Sequence, residues 1–530
     1  MRTYTSAPDE TKFVIPEGAK SAKDYITSLY ESSAELSGWA IRGGVDAIAE
    51  RMKADILNTS NTLKIYGDRV TGKVYHISES GSDTDGNGSQ EKPFRSIAGI
   101  KDKVVLNCGD AVLFERGGIY RGSFEASAGV VYGSYGKGNK PIVMQSKKNY
   151  ADPSLWKETE WENVWVCTDK LMNVGVIGFD HDLQDYSENA YNELYGIIMN
   201  KNLFGFNDAS QLCGDLQFYS ELYGGTKNYG ELYLYSKNGN PGSRFKSIEM
   251  GENESIVVGL ANDVTIDNIS FKFTGAHGIG SGTTKNRTVT NCVFSWIGGS
   301  VLSVSYGGGK PINYGNAVEI YGGCSGYYVC NNWMYQIYDT AVTHQRATWQ
   351  GDCIQENVRY AENLMEYVYW GIEFYNMPPR GNDLAGNEDT YTRITGNVAS
   401  EYNLLRLGGY GWGSIVRHRG AELYAGRFLS ENHDCYARYN IFDRAYGELL
   451  VLDEKSNEVD DKNIYIQHIG QPLGRLKKAG AVTCGHDAAQ RIANDFGDKN
   501  AVVVLIDPLV EPAVRKIPEG WVEPDAFDKK

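Results

Sequence analysis

From residue 262 onward the chain repeats one phrase: an Asn, a short apolar strand, and a Gly-rich or polar break. It starts at Asn268 (NISFKFTGAHGIG), Asn291 (NCVFSWIGG), Asn332 (NWMYQIYDTAVTHQ), Asn363 (NLMEYVYWGIEFYN), Asn397 (NVASEYNLLRLGG) and Asn440 (NIFDRAYGELLVL). The spacings run from 23 to 43 residues, so loops of unequal length must hang off a regular core. A chain of 530 residues is too long for one compact core unless it grows along one axis, as repeats do. Asn at a recurrent corner suits a bend, because its side chain bonds nearby backbone and tolerates a left-handed conformation. These asparagines are read as structural.

Composition agrees with short strands and frequent turns: 61 Gly and 36 Tyr stand against 14 Pro. Residues 1–72 differ. Between Ser21 and Leu57 apolar residues recur at helical spacing, which predicts two or three helices that cap the first open rung. Strand-and-turn texture begins at Lys73 and predicts the first coils over 73–150, with VYHISESGSDTDGNGSQEKPFRSIAGI read as strand, turn and strand. Residues 151–250 break the pattern, since WKETEWENVWVCTD and FYSELYGGTKNYGELYLYSKNGNP read as antiparallel hairpins of an inserted module. The main coils are expected over 251–455 and a C-terminal cap over 456–530.

Three stretches carry a resemblance to a known fold: HISESGSDTDGNGSQEKPFRSI, GDAVLFERGGIYRG and GNKPIVMQS. They resemble the opening coils of the pectate-lyase-like right-handed parallel β-helix superfamily. The inserted module is similar to that of β-helical glycoside hydrolases, β-xylosidase-like ones among them. The resemblance implies an all-β solenoid with a carbohydrate-binding outer groove. It also implies, for the β-xylosidase-like families, an Asp and a Glu on neighbouring rungs.

The last strand of each rung can be stacked: NAVEIYG, TAVTHQR, WGIEFYN and LLRLGG. Alternation in a strand sends neighbouring residues to opposite sides. Val318, Ile320, Val342, Ile372, Phe374, Leu405 and Leu407 fall inward. Glu319, Tyr321, Thr343, Gln345, Glu373, Tyr375 and Arg406 fall outward, and acids beside aromatic rings suit sugars. Glu319 and Glu373 are the expected catalytic pair, with about 9–10 Å between their backbones if two rungs apart. Arg406 is expected to keep Glu373 ionised as base or nucleophile, leaving Glu319 as the acid. Asp339 is the rival partner of Glu319, with a turn-capping role as its alternative. His277 and Trp370 are candidate sugar contacts. His344 should point inward by alternation, and it reaches ligand only through a bulge. The loop VLSVSYGGGKPINY could overhang the groove.

The net charge of −15 disfavours nucleic acid, anionic membranes and polyuronates, so a neutral carbohydrate is the expected partner. A homo-oligomer is compatible with the sequence. No cofactor and no metal site is predicted, although Ca²⁺ between Glu319 and Glu373 would revive a polysaccharide lyase. A non-catalytic sugar-binding solenoid is the third reading. The nine Cys, Cys108 and Cys167 included, are expected as buried structural thiols. The opening MRTYTSAPDETKF lacks an apolar signal core, and cytoplasmic residence is expected.

Overall fold

The computed structural model describes residues 2–4, 12–186, 194–199, 208–222, 226–306, 310–345, 353–375, 392–417, 422–427, 435–452, 461–476, 480–483, 485 and 487–514. Among them the dominant elements are three long sheets of 11, 10 and 9 strands, parallel throughout except where Gly480–Thr483 runs antiparallel to Pro472–Leu476 at the end of the ten-stranded sheet. Every coil of the main stack gives one strand to each sheet. Val318–Tyr321, Thr340–Gln345 and Trp370–Tyr375 pair in the ten-stranded sheet, while Trp333–Ile337 and Leu364–Glu366 pair in the eleven-stranded one. The fold is the all-β parallel β-helix.

Inward side chains stack from rung to rung. Val318, Val342 and Ile372 occupy one register position, all with no exposed surface. Burying each removes apolar surface worth roughly 25 cal/mol per Å². At one corner six residues form a hydrogen-bonded ladder. The backbone N–H of Asn332 donates to Asn363 Oδ1 at 3.0 Å, Asn363 to Asn403 at 3.0 Å, and Asn403 to Asn440 at 3.1 Å. Asn440 donates to Asn463 at 2.8 Å, and Asn463 ends the series on Asp498 at 3.2 Å. Each side chain satisfies a buried turn amide, a net contribution of about 1 kcal/mol per bond. Asn397 is not in this ladder; it sits at positive φ inside the nine-stranded sheet, and Asn403 takes the corner. Asn268 and Asn291 occupy the left-handed position immediately before the ladder column.

Helices α1 (Ala22–Ser32) and α2 (Gly38–Leu57) form as the periodicity predicts, each opening at a Ser. They do not close the first rung. Their apolar faces lie along the outside of the eleven-stranded sheet, against Trp333, Leu364, Leu404, Ile441 and Ile464. That sheet is the covered sheet below. The short α3 (Thr62–Tyr66) follows and hydrogen-bonds the main coils, Thr62 to Asp267 and Tyr66 to Thr290. The first-coil end is covered by α4 (Ile97–Lys103), where the sequence reading expected a strand. Ser96 caps that helix and Asp83 holds the Ser96 hydroxyl at 2.6 Å, so local capping outweighs the β-like pattern.

The inserted segment pairs antiparallel as expected: Trp156–Glu158 with Val164–Cys167, and Gln217–Ser220 with Leu232–Tyr235. Coiling continues past residue 455. Ile464–His468, Pro472–Leu476 and Val502–Ile506 are further parallel rungs; residues 515–530 lie outside the described residues. Cys167, Cys292 and Cys324 are buried thiols; Cys108 is exposed, because it stands in the turn after α4 and not in a strand.

Candidate functional site

The ten-stranded sheet carries the predicted column on its outer face, and we call it the groove sheet. Its register places Gly280, Glu319, Thr343, Glu373 and Ala425 side by side on consecutive rungs. Glu319 and Glu373 are therefore two rungs apart, with Thr343 between them. Alternation fixes this arrangement: Val318 and Ile320 must face the core, so Glu319 cannot.

Both carboxylates are sheltered, Glu319 at 8% exposure and Glu373 at 1%. Glu373 Oε2 accepts a hydrogen bond from the Thr343 hydroxyl at 2.9 Å and another from Gln345 Nε2 at 3.1 Å. Bonds of this kind favour the ionised carboxylate. Glu319 Oε2 is paired with His277 Nε2. The other ring nitrogen of His277, Nδ1, accepts the backbone N–H of Asn316 at 3.1 Å. That bond leaves the proton on Nε2, so a neutral imidazole donates to Glu319. Tyr314 packs edge-on against the His277 ring at 4.8 Å. Burial first, and the Glu319 charge second, push the Tyr314 phenol above its ordinary pKa.

Around this pair the predicted contacts divide. Tyr321 is 48% exposed and shares a register position with Gln345 and Tyr375, which gives the groove an open aromatic face. The side chain of Tyr375 lies outside the described residues. Trp370 heads the Glu373 strand, half-buried, and stacks on Tyr369 with centroids 5.0 Å apart. Asp339 stands at the strand entrance, where Arg417 Nη1 donates to it at 3.0 Å. Arg417 is also sandwiched over Tyr338 and Tyr369, 4.4 Å from each ring, and donates to Asn313 O at 3.1 Å. Asp339 thus fastens helix Trp412–Arg417 to the coil.

Two candidate contacts are corrected: His344 lies inward as alternation gives it and touches no groove, and Arg406 is on another sheet. His344 is fully buried in the core, with Nε2 bonded to Gly322 O at 2.9 Å. Burial pushes its pKa down to about 4, and regular alternation, with no bulge, keeps it inside. Arg406 is not in the groove. Its strand Leu404–Gly408 belongs to the covered sheet, where Arg406 aligns with Glu366 and Asp443. The next groove strand is Glu422–Arg427, which places Ala425 beside Glu373. Thr343 and Gln345, not Arg406, donate to Glu373.

Sequence reasoning missed Asn316, Tyr314 and Arg417. Asn316 was within reach, since NAVEIYG begins with it and lies next to Gly315. Tyr314 ends the overhanging loop, whose described parts, Val301–Tyr306 and Lys310–Asn313, form an antiparallel hairpin. Arg417 carried no signal, being far away along the chain.

No family model matches this sequence, and no curated protein does. Solved structures do resemble it. One, described as the complex of XylC with xylose, is 10% identical and covers 83% of this chain and 87% of its own, with a TM-score of 0.31. The GH136 lacto-N-biosidase of Eubacterium ramulus is 11% identical over 88% of this chain and 71% of its own, TM-score 0.34. A rhamnogalacturonan lyase is 10% identical over 78% and 87%, TM-score 0.35. Hydrolases and lyases both stand among these likenesses, and no residue of theirs is carried onto this chain.

Proposed function

We propose that the protein is a carbohydrate-active enzyme that hydrolyses a glycosidic bond in a neutral oligo- or polysaccharide, with Glu319 and Glu373 as its carboxylate pair. The observation that carries this reading is the register: two sheltered carboxylates on one outer face, two rungs apart, each held by polar neighbours of that face. Two rungs set the backbones about 9–10 Å apart, room for a sugar ring and a water between the carboxyl groups. Two donors keep Glu373 charged and suit it to activate water or attack the anomeric carbon. Glu319 is the acid. In that role Glu319 takes up a proton on Oε1 and passes it to the leaving oxygen. The His277 N–H on Oε2 then steadies the carboxylate that remains. Tyr321 offers the ring face on which the apolar side of a sugar stacks.

The test is a screen of neutral and uronate-containing oligosaccharides, following new reducing ends and, separately, the ultraviolet absorbance of unsaturated products, with and without chelator. Reducing ends from neutral sugars support hydrolysis. Unsaturated products abolished by chelator would replace it with a Ca²⁺-dependent lyase; binding without product would leave a sugar-binding solenoid.

A further inference from the structure

Among the described residues of the inserted module, Lys227 reaches toward the candidate site. Lys227 belongs to the insert, yet its ammonium is spent on groups of the β-helix. It donates to the backbone oxygen of Asn253, to Asn253 Oδ1 at 3.1 Å, and to the Tyr314 hydroxyl at 3.4 Å. Three acceptors match the three N–H groups of an ammonium. All three acceptors are neutral, and among the described residues no carboxylate lies within ion-pair distance of it. Lys227 is exposed along its chain, but its ammonium is turned onto these three oxygens.

Its acceptors are themselves tightly held. Asn253 has no exposed surface, and its Nδ2 donates to Thr226 O and to Val301 O, each at 2.9 Å. Its backbone N–H donates to Met172 O, also at 2.9 Å, so it joins two segments of the insert to the hairpin that starts at Val301. The Tyr314 hydroxyl donates to Asn253 Oδ1 at 2.7 Å, which locks the phenol ring in place. That ring is the edge-on wall of His277, and His277 donates to Glu319. The contacts run without a break from the insert to a candidate reacting carboxylate.

We propose that Lys227 is a positioning residue of the candidate active site: through Asn253 and Tyr314 the insert sets the His277 ring against Glu319. The module is then a working part of the site and not an appended domain. The inference rests on reading Glu319 as a reacting group, but its structural half stands independently, because the state of His277 can be observed without turnover.

The experiment uses the full chain labelled with ¹⁵N in its histidine rings, as wild type, Lys227→Met, Lys227→Arg and Tyr314→Phe. The wild-type His277 signals should report protonation at Nε2 alone. Lys227→Met should move them toward mixed tautomers, Lys227→Arg should restore them in part, and Tyr314→Phe, which keeps the ring and removes only the hydroxyl, should move them less. On whichever neutral oligosaccharide the wild type cleaves, Lys227→Met should lower kcat about ten-fold with KM within about two-fold. If Lys227→Met perturbs the insert itself, Tyr314→Phe carries the test. Wild-type His277 signals and kcat in both Lys227→Met and Tyr314→Phe would overturn the proposal. A wild type that cleaves nothing would count against the hydrolase alone, and the ¹⁵N spectra would still decide the positioning.

Discussion

The covered sheet and the groove sheet present the same kind of residue on their outer faces and use it in opposite ways. On the covered sheet, Glu366, Arg406 and Asp443 align on successive rungs beneath α2. Arg406 donates to Asp46 of α2 at 2.6 Å and lies 3.3 Å from Asp443 and 3.7 Å from Glu366. Arg42 and Arg444 add further pairs to Asp46 and Asp443. Burial alone would raise the Asp443 pKa, but Arg444, Arg42 and Arg406 hold it well below the usual carboxylate range. On the groove sheet, among the described residues, no helix lies over the column. There Glu319 is met by the His277 imidazole, and Glu373 accepts from the Thr343 hydroxyl and the Gln345 amide. Charge cancelled by opposite charge holds a helix down on the covered sheet; the groove carboxylates are the ones we propose for chemistry.

The largest effect expected from breaking this contrast is on the covered side. Arg406→Leu leaves Asp46, Glu366 and Asp443 short of a partner and should cost about 3–5 kcal/mol in urea unfolding, while the folded fraction keeps its activity. Acid should act on the same cluster. Asp443 has a depressed folded pKa, so its contribution is complete above the ordinary Asp range near pH 4. That contribution is lost as pH falls below the range, and unfolding against pH should show the loss in wild type and much less in Asp443→Asn.

Lys140 sharpens the comparison: it is buried, and the nearby Asp267 carboxylate offsets only part of its desolvation. Its ammonium donates to Asn268 Oδ1, and desolvation pushes its pKa from 10.5 down to about 7. Between those values the unfolded chain holds a proton that the folded chain lacks, so stability should rise with pH, by at most about 1.4 kcal/mol per unit. Lys140→Met should flatten that rise. The smallest effects belong to the groups that support the groove carboxylates. Thr343→Val and Gln345→Ala each remove one donor to Glu373 and should lower turnover about ten-fold, with stability changed by less than about 1 kcal/mol.

The sequence made inside and outside legible, because alternation is enforced residue by residue. Val318, Glu319 and Ile320 lie as read, and so do Thr343 and Glu373. What it could not reveal is which of three sheets a strand enters. LLRLGG has the same alternation as the groove strands, but the corner Asn that precedes it is Asn403, six residues after Asn397, and that offset sends it to the covered sheet. Arg406 was therefore outward as expected and under a helix instead of over a groove. The cover itself was legible only as helices; their resting place depends on the apolar outer side of Trp333, Leu364, Leu404 and Ile441. Long-range partners such as Arg417 and Lys227 leave no local pattern at all.

The central claim is that the groove face does chemistry and the covered face holds structure. The most direct test measures, on one cleaved neutral oligosaccharide, turnover per folded molecule for Glu373→Gln and Arg406→Leu side by side. The account predicts Glu373→Gln folded like wild type with turnover reduced by roughly 10³-fold or more, a loss of about 4 kcal/mol in transition-state stabilisation, and Arg406→Leu less stable with normal turnover. Undiminished turnover in Glu373→Gln, or turnover abolished in folded Arg406→Leu, would contradict it.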